Sequence, residues 1–310
     1  MIVAVSGAGG LIGSALVSSL RAAGHRAIPL VRRAPWPGEN ALRWDPSSGA
    51  ITPAGLAVAD AVVHLAGERI VGLRWTADKK RRIRESRVTA TRLLVQTLTR
   101  LPKPPAVLVC ASGTGYYGHG GDGVLTEDSR AGTGFLADLA RDWEAATAAA
   151  IAQGIRVVNL RLGVVLSARG GALAAMLTPF RLGLGGVVGG GAQWMSWIAL
   201  DDVIGAILHV LSTDSLRGPV NAVAPAPVTN AEFTRTLGRV LGRPTLLPLP
   251  AFAARLALGE MADELLLTSQ RVLPARLEAS NYPFRHPHLE GALRAALGAE
   301  PSASARLSGR

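Results

Sequence analysis

Three glycines, Gly7, Gly10 and Gly13, stand at three-residue spacing between the apolar segment IVAVS and a helix-like stretch. In a turn from strand to helix, Gly7 allows the tight turn, Gly10 lets the main chain approach a phosphate, and Gly13 lets the helix pack closely on the strand. The free N–H groups at the start of such a helix attract phosphate. The pattern predicts a dinucleotide site that also includes Leu11 and Ile12. The alternative is a glycine turn with a purely structural role.

Apolar segments alternate with helix-like stretches through the first half of the chain. This alternation is typical of a parallel sheet covered by helices on both faces. We therefore expect an α/β fold of the Rossmann type, a doubly wound parallel sheet whose ligand lies at the carboxyl ends of the strands. The expected strands are IVAVSG, AIPLV, DAVVHLAG, AVLVCAS and IRVVNLRLG, and the expected helices run from Leu11 to about Ala23, from about Thr76 to Arg100 and from about Phe135 to Gln153.

The second half of the chain has a looser pattern. We expect the Rossmann domain to span residues 1–224, with a helix at VIGAILHVL, a last strand at PVNAVA and a loop or lid insertion around residues 166–198. The insertion contains the glycine-rich RLGLGGVVGGG, which could close over a ligand or simply form turns of a substrate lobe. We expect residues 225–298 to form a smaller α-rich C-terminal lobe and residues 299–310 to form a disordered tail.

The charge balance is strongly basic, with 33 Lys and Arg against 22 Asp and Glu and a formal net charge of +11. Such an excess suits nucleic acid, acidic lipid or a phosphorylated ligand. Nucleic acid is disfavoured, because the few aromatic residues are not interleaved with Arg and no zinc-finger or helix-turn-helix spacing occurs.

The sequence also indicates the cellular compartment of the protein. No apolar run reaches the roughly 20 residues of a membrane helix, and no basic region with a cleavage site follows Met1. The single Cys110 cannot form an intramolecular disulfide. We expect a cytoplasmic protein without membrane contact.

Two arginines, Arg32 and Arg33, follow the second expected strand, where an NAD site usually has an acidic residue for the ribose 2′-OH. Guanidinium groups bind a 2′-phosphate bidentately, whereas a carboxylate would repel it. We therefore predict NADP as the cofactor in preference to NAD. The alternative is a pair of solvated arginines in a surface loop.

Several motifs together resemble the extended short-chain dehydrogenase/reductase (SDR) fold: the glycine turn, HLAG at residues 64–67 and ASGTGYYG at residues 111–118. The chain resembles more specifically the atypical SDR group of epimerase-family proteins, of the nucleoside-diphosphate-sugar epimerase and SulA-like type. The stretches that carry this resemblance are RWTADKKRRIRESRVTATRLL, GTGFLADLARDWE, LRLGVVLSARGGAL, QWMSWIALDD and QRVLPARLEASNYPF. The resemblance implies cofactor contacts at Leu65, Ala66 and Gly67, and a homodimer through the two long helices of the first domain.

The resemblance also implies a Tyr-x-x-x-Lys pair for proton transfer, and this chain lacks it. Counting back from Glu144, the Tyr position falls at Leu136 and the Lys position at Ala140, while the nearest ring, Phe135, has no hydroxyl. An acid or base with a suitable pKa must therefore come from elsewhere.

Three candidate catalytic groups follow the AVLVC strand. Ser112 stands where SDRs carry a hydroxyl that hydrogen-bonds a substrate oxygen, although a polar residue ending a strand explains it too. Tyr116 or the adjacent Tyr117 could supply the missing acid, with packing as the alternative. His119 is a further possible proton donor.

Arg87 projects from the same side of its helix as the apolar residues Ile83, Ala90, Leu94 and Leu98. In relatives this position carries an Asn near the active site. A cation that points inward must find an anion or carbonyl groups. We therefore place Arg87 among the cofactor-binding residues. A substrate carboxylate or phosphate and a protein acid are the alternative partners.

The remaining polar clusters have simpler interpretations. Asp201 and Asp202 precede VIGAILHVL, where Asp is expected to cap a helix. His286 and His288 lack further ligands at metal-site spacing, so no metal is expected. We expect the basic residues around Arg87 to form a solvated face. These residues are Lys79, Lys80, Arg81, Arg82 and Arg84.

These features predict an NADP(H)-binding SDR-like oxidoreductase or epimerase that acts on an unknown small molecule with a carbonyl or hydroxyl group. Hydride transfer is the chemistry of the cofactor and needs mainly positioning. The alternative function is a non-catalytic NADP(H)-binding sensor or regulatory protein.

Overall fold

A computed structural model describes residues 1–298 of this chain, apart from residues 37, 52 and 73. Its described residues form one large sheet in the order β12-β8-β6-β5-β1-β2-β3-β4, in which neighbours from β12 to β3 are parallel and β4 runs antiparallel to β3. The expected Rossmann-type parallel sheet is confirmed. The strands of this sheet are β1 (Ile2–Ser6), β2 (Arg26–Val31), β3 (Leu42–Asp45), β4 (Ala50–Ile51), β5 (Ala61–His64), β6 (Val107–Gly113), β8 (Arg156–Leu162) and β12 (Gly218–Ala222).

Six short strands form small paired ladders outside the main sheet. They are β7 (Val124–Leu125), β9 (Val164–Leu166), β10 (Trp194–Met195), β11 (Trp197–Ala199), β13 (Val228–Thr229) and β14 (Arg271–Val272).

Helices cover both faces of the sheet. Leu16, Leu20 and Ile207 belong to the core on one face, and Leu94 and Leu98 belong to the core on the other. The helices of the first 224 residues are α1 (Leu11–Ala22), α2 (Pro53–Leu56), α3 (Ala77–Arg84), α4 (Ala90–Leu98), α5 (Phe135–Ala145), α6 (Ala148–Ala152), α7 (Gly171–Arg181) and α8 (Leu200–Ser212).

The chain reverses its direction of travel across the sheet at β1. From β1 it proceeds to β2 and β3 on one side, and it then crosses to β5 and β6 on the other. At such a switch point the two outgoing connections diverge and leave a crevice beyond the carboxyl ends of the strands. The fold thus places the glycine turn after β1 beside the HLAG segment that ends β5.

Several elements differ from the sequence-based expectation. The two long helices are interrupted: a π-helical segment, Glu85–Thr89, separates α3 from α4, and α5 ends before Thr147, whose hydroxyl donates to the Glu144 carbonyl. The strands β3 and β4 were not expected, because each is short and lacks a clear apolar alternation. The segment 166–198 contains the 11-residue helix α7 in addition to glycine-rich turns.

The expected α-rich character of the C-terminal part is confirmed. Its helices Asn230–Leu241 and Leu289–Leu297 pack with α7 around Phe233, Leu237 and Leu293. The domain boundaries at residues 224 and 298 stay predictions, and the expected tail at 299–310 lies outside the described residues. The C-terminal helices are α9 (Asn230–Leu241), α10 (Ala251–Leu258), α11 (Glu260–Leu265), α12 (Ala275–Ala279) and α13 (Leu289–Leu297).

The expected capping role of Asp201 and Asp202 is wrong. Helix α8 begins at Leu200, and its cap residue, Ala199, has no side-chain oxygen. The buried carboxylate of Asp202 instead accepts the backbone N–H groups of Arg285 (2.7 Å) and His286 (2.9 Å). Asp202 therefore ties a distant C-terminal segment to the first turn of α8, a contact that local sequence spacing cannot show.

No helix among the residues that the structure describes has the length and apolar character needed to cross a membrane.

We predict that Gly13→Ala destabilises the protein while Gly9→Ala does not. A Cβ on Gly13 would overlap the carbonyl oxygen of Gly7, whereas a Cβ on Gly9 has no atom within 4 Å. Overpacking against a fixed backbone costs about 1–3 kcal/mol, and an open site changes stability by less than about 0.5 kcal/mol. Urea unfolding of both variants measures the difference, and equal midpoints would contradict the proposed helix–turn contact.

Candidate functional site

The turn after β1 is shaped for close approach. Gly7 has a φ of +68°, and a Cβ at this position would lie 2.8 Å from the Leu65 carbonyl carbon and 2.9 Å from the Ala66 nitrogen. The Gly10 N–H donates to the Gly7 carbonyl at 2.9 Å. Only glycine fits at Gly7, because an L side chain would be strained there and would also collide with the end of β5.

The outer side of this turn is open. A Cβ on Gly10 would meet only the Gly7 oxygen within 4 Å, at 3.2 Å. Helix α1 starts directly afterwards without a side-chain cap, so its first N–H groups remain available. Leu11 and Ile12 pack their side chains against the core and offer their main chain to this surface. The arrangement is a cradle that fits a phosphate group.

A chain of buried polar groups fixes the end of β5 to its neighbours. The His64 ring bonds to the Ser6 hydroxyl at 2.6 Å through Nδ1 and to the Thr91 hydroxyl at 3.0 Å through Nε2. Thr91 also accepts a hydrogen bond from the Trp143 indole at 2.9 Å, and the Leu65 N–H donates to Ser6 Oγ at 3.1 Å. The HLAG motif indicated a cofactor contact and not this network, although a histidine that ends a buried apolar strand was a visible signal.

The His64 imidazole is fully buried. Burial, with a smaller contribution from the positive charge of Arg87, lowers the pKa of His64 from 6.5 to about 4. The ring is therefore neutral at physiological pH and acts as a fixed hydrogen-bonding group.

The two arginines after β2 have different environments. Arg33 forms a bidentate pair with Glu39, with both N–O distances at 2.7 Å, and stacks over the Trp36 ring. Arg32 is exposed and makes no hydrogen bond or ion pair with any residue that the structure describes. Arg32 is therefore the arginine that remains free to bind a phosphate.

Ser112 lies at the carboxyl end of β6 and is buried. Its hydroxyl donates to Glu144 at 2.8 Å, and Glu144 holds Arg161 through two hydrogen bonds of 2.8 Å each. Burial disfavours the charged Arg161, but its bonds to Glu144 outweigh this effect and raise the pKa of the guanidinium. The hydroxyl proton of Ser112 is thus held by Glu144, and the Ser112 oxygen can still accept a hydrogen bond.

The two tyrosines that follow Ser112 also have different environments. Tyr117 is buried, accepts a hydrogen bond from Arg161 at 2.9 Å and donates to Asn221 at 2.7 Å. Burial raises the pKa of Tyr117 to about 12. Tyr116 is half-buried, its ring centre lies 3.4 Å from the Arg161 guanidinium carbon, and its hydroxyl has no partner among the described residues. Tyr116 is therefore the tyrosine with a hydroxyl available to a ligand.

His119 lies in an exposed loop that is attached to the C-terminal part of the chain. Its Nδ1 accepts the Ser269 N–H at 3.1 Å, and the Gly118 carbonyl accepts from the Gln270 amide at 3.0 Å. These bonds fix the ring and leave Nε2 without a partner among the described side chains.

The helix that would carry a Tyr-x-x-x-Lys pair has only apolar side chains at those positions. Leu136 and Ala140 are buried in its packed face. Glu264 of α11 accepts the N–H groups of Phe135 at 3.0 Å and Leu136 at 3.1 Å, so a distant carboxylate caps α5. No local sequence signal relates Glu264 to this helix.

Arg87 is buried within the π-helical segment and lies over the Trp143 ring at 5.1 Å. Its hydrogen bonds go to the Ile83 carbonyl at 3.3 Å and the Ser86 hydroxyl at 3.4 Å. The expected alternative of a protein acid as its partner is not observed among the described residues.

The basic residues around Arg87 were expected to form a solvated face, and each of them forms an ion pair. The pairs are Lys79 with Glu68, Lys80 with Glu260, Arg81 and Arg82 with Asp78, and Arg84 with Asp142. No group of three or more His, Cys, Asp or Glu residues within the described part of the chain is arranged to hold a metal ion.

Most of the chain matches a known family. Residues 3–222 match the family described as the NAD dependent epimerase/dehydratase family, and residues 249–296 match a domain of unknown function, DUF1731. An epimerase family protein of Mycobacterium bovis is 48% identical over 292 residues, which cover 94% of this chain and 96% of that protein. The human epimerase family protein SDR39U1 is 40% identical over 297 residues, which cover 95% and 99% of the two chains.

The crystal structure of human SDR39U1 (isoform 2) with NADPH is similar to this structure throughout. Its TM-score is 0.85 at 36% sequence identity, and the match covers 96% of this chain and 99% of that chain.

We predict that protonation of His64 lowers the free energy of unfolding as the pH falls. The unfolded ring binds a proton near pH 6.5, while the folded ring resists protonation down to about pH 4. The free energy of unfolding should therefore fall by about 3 kcal/mol between these pH values because of this group alone. His64→Asn removes the titration, so the stability difference between wild type and variant should shrink over this window. Denaturant unfolding at pH 7 and pH 4.5 measures it.

His25→Asn is the matched control, since it leaves His64 intact and should keep the pH dependence of the wild type. A constant difference between wild type and His64→Asn at both pH values would contradict the burial of a neutral ring.

Proposed function

Because this chain belongs to the NAD dependent epimerase/dehydratase family, we propose that it is an NADP(H)-dependent oxidoreductase or epimerase that acts on a carbonyl or hydroxyl group of a small molecule. The relatives confirm the resemblance to epimerase-family SDR proteins that the sequence motifs carry. The observation that supports the proposal most is the open glycine cradle beside β5, with an unpaired arginine after β2.

The residues around this cradle fit NADPH. The main chain of Gly7, Gly10 and Gly13 would hold the pyrophosphate at the start of α1, next to the segment Leu65–Gly67. Arg32 would bind the 2′-phosphate, while Arg33 is already paired with Glu39. The human relative whose structure contains NADPH supports the same choice.

NADPH, when bound, supplies the hydride. The residues of this chain then orient the substrate and handle its proton. Ser112 would accept a hydrogen bond from a substrate hydroxyl, since its own proton is held by Glu144. Tyr116, whose hydroxyl is unpaired, would donate a proton to the reacting oxygen. His119 is the second candidate donor through its free Nε2.

A second candidate function is a non-catalytic NADP(H)-binding sensor. The apolar residues Leu136 and Ala140, at the positions where the resemblance implies Tyr and Lys, favour it. A sensor would bind the cofactor without turnover and change its affinity for a partner.

The proposal includes a cellular compartment and an oligomeric state. We place it in the cytoplasm, where a single buried thiol such as Cys110 stays reduced. A homodimer through the helices of the first domain is the proposed assembly, and neither nucleic acid nor membrane is a proposed partner.

We predict that Arg32→Gln weakens NADPH binding much more than Arg33→Gln does. Loss of a charge-assisted contact to the 2′-phosphate should lower NADPH affinity about tenfold or more and leave NADH affinity unchanged. Arg33→Gln is the matched control, because Arg33 is engaged by Glu39. Calorimetric titration of each variant with both coenzymes measures this. Unchanged NADPH affinity in Arg32→Gln would refute the assignment.

We predict stereospecific transfer of deuterium from NADPH labelled at one C4 position to a compound in a panel of carbonyl substrates. Tyr116→Phe should lower this rate about 10²-fold or more while NADPH affinity is kept, because the variant lacks only the phenolic hydroxyl that donates the proton. Mass spectrometry of the products measures the transfer. Saturable NADPH binding with no transfer to any compound would favour the sensor and contradict the enzyme.

A further inference from the structure

We propose that the substrate of this site carries a hydrocarbon chain and that an exposed apolar face of the protein binds this chain. The apolar face is formed by six large side chains near α7 and α10, and they are Leu182, Leu184, Leu246, Leu247, Phe252 and Leu256. The inference rests on the proposed function, because it names the class of substrate for the same cleft.

The side chains of the apolar face expose more hydrocarbon than a packing role explains. Each of the six is more than half exposed, and the exposed fraction ranges from 53% for Leu247 to 81% for Leu246. Single exposed leucines are normal in soluble proteins. Contiguous apolar patches larger than a few hundred Å² are rare in them and mark surfaces that bind a ligand or a partner.

The leucines of the face come from two segments that lie side by side, the loop after α7 and the extended segment before α10. The Leu249 N–H donates to the Val187 carbonyl at 2.8 Å, and the Gly189 N–H donates to the Leu249 carbonyl at 2.9 Å. A Cβ on Gly186 would overlap the Leu247 carbonyl, so the two backbones touch. The exposed leucines of both segments therefore belong to one surface.

Helix α10 extends this surface. Phe252 and Leu256 stand four residues apart and so share one side of the helix, while Ala254 is buried on the opposite side. Phe252 is 72% exposed and Leu256 is 74% exposed. A helix of a soluble protein normally turns its larger apolar side chains to the core. The reverse arrangement in α10 indicates a ligand rather than core packing.

One end of the apolar face borders the cofactor side of the cleft. The Arg74 guanidinium donates to the carbonyl oxygens of Leu256 and Ala257 at the end of α10. Arg74 belongs to the loop between β5 and α3, which begins with the segment Leu65–Gly67 beside the glycine turn. The face therefore starts next to the loop that leads away from the proposed cofactor site.

Another part of the face is joined to a candidate proton donor. The Gln193 amide donates to the Val188 and Leu266 carbonyls at 2.9 Å each. The segment after Leu266 then passes His119, whose Nδ1 accepts the Ser269 N–H at 3.1 Å. A chain attached to the reacting carbonyl of a substrate in this cleft would therefore leave the cleft along the apolar face.

The chemistry of the face selects a hydrocarbon over a charged or sugar-like group. Its six side chains offer no hydrogen bond. The two arginines on and beside α10 are already engaged, Arg74 by main-chain carbonyls and Arg255 by Asp263 at 2.9 Å. A hydrocarbon needs no polar partner and gains from each CH₂ group that leaves water. The homodimer proposed above uses the helices of the first domain, so it leaves this face free for a ligand.

The test uses 1-hexanol, 1-octanol and 1-decanol, which are the reduced forms of straight-chain aldehydes and differ only in chain length. Calorimetric titration measures their affinity for the wild-type protein, with and without saturating NADPH. We expect one-to-one binding whose affinity rises about twofold or more for each added CH₂ group, because an open face removes only part of each group from water. Equal affinities for the three alcohols would overturn the inference.

The double variant Phe252→Ser with Leu256→Ser removes the part of the face on α10. Ile151→Ser is the matched control, since Ile151 is 56% exposed on α6 and lies outside the face. We expect the double variant to bind 1-decanol about tenfold or more weakly than the wild type does, with a smaller loss for 1-hexanol, and the control to keep the wild-type affinities. An unchanged 1-decanol affinity in the double variant, or an equal loss in the control, would overturn the inference.

Both substituted side chains are exposed, so urea unfolding of the double variant should give the wild-type midpoint. If the double variant does not fold, Leu246→Ser replaces it, because Leu246 is 81% exposed on a different segment of the face. A loss of about threefold or more in 1-decanol affinity would then support the inference, and the wild-type affinity would overturn it.

A second copy of the chain is the competing occupant of the face. Sedimentation velocity of the wild type and the double variant separates the two cases. Self-association that the double variant loses, together with an unchanged affinity for 1-decanol, would identify a dimer interface and overturn the inference.

The proposed function can fail separately. If the wild-type protein binds no NADPH, that proposal is wrong, and the inference is then tested with the alcohols on the free protein. Affinity that rises with chain length and falls in the double variant would keep the face as a hydrocarbon site, and any other result would end it. If NADPH binds and the alcohols show no dependence on chain length, only the inference is wrong.

Discussion

The contact between the turn after β1 and the end of β5 determines the rest of the site. Gly7 can approach Leu65 and Ala66 only because it has no side chain, and the 2.6 Å bond between Ser6 and His64 fixes the two strand ends side by side. This contact sets the position of the first N–H groups of α1. It also sets the position of Gly67, against which the Arg87 guanidinium lies.

A second constraint comes from charges buried next to the sheet. Glu144 and Arg161 form a bidentate pair that also holds Ser112 and Tyr117. Removing either partner alone would leave an uncompensated charge and cost several kcal/mol. The pair therefore fixes Ser112 and Tyr117, whereas the Arg87 Nε atom is buried without a hydrogen-bond partner among the described residues.

Much of this could be predicted from the sequence, because it depends on local patterns. The glycine spacing indicated the turn, and the alternation of apolar segments indicated the parallel sheet. The position of Arg32 followed from the end of an expected strand, and that of Ser112 from the resemblance to SDR proteins. What could not be predicted depends on contacts between distant residues: Asp202 with the segment at 285–286, Glu264 with the start of α5, and Glu39 with Arg33, which distinguishes Arg33 from Arg32. The π-helical segment was also hidden, because the apolar periodicity around it suits a regular helix.

We propose the glycine cradle and Arg32 as the binding site of a nicotinamide coenzyme that carries a 2′-phosphate. Calorimetric titration of the purified wild-type chain with NADPH and with NADH tests it most directly. We expect saturable one-to-one binding of NADPH and clearly weaker binding of NADH. Absence of binding by both coenzymes would contradict it.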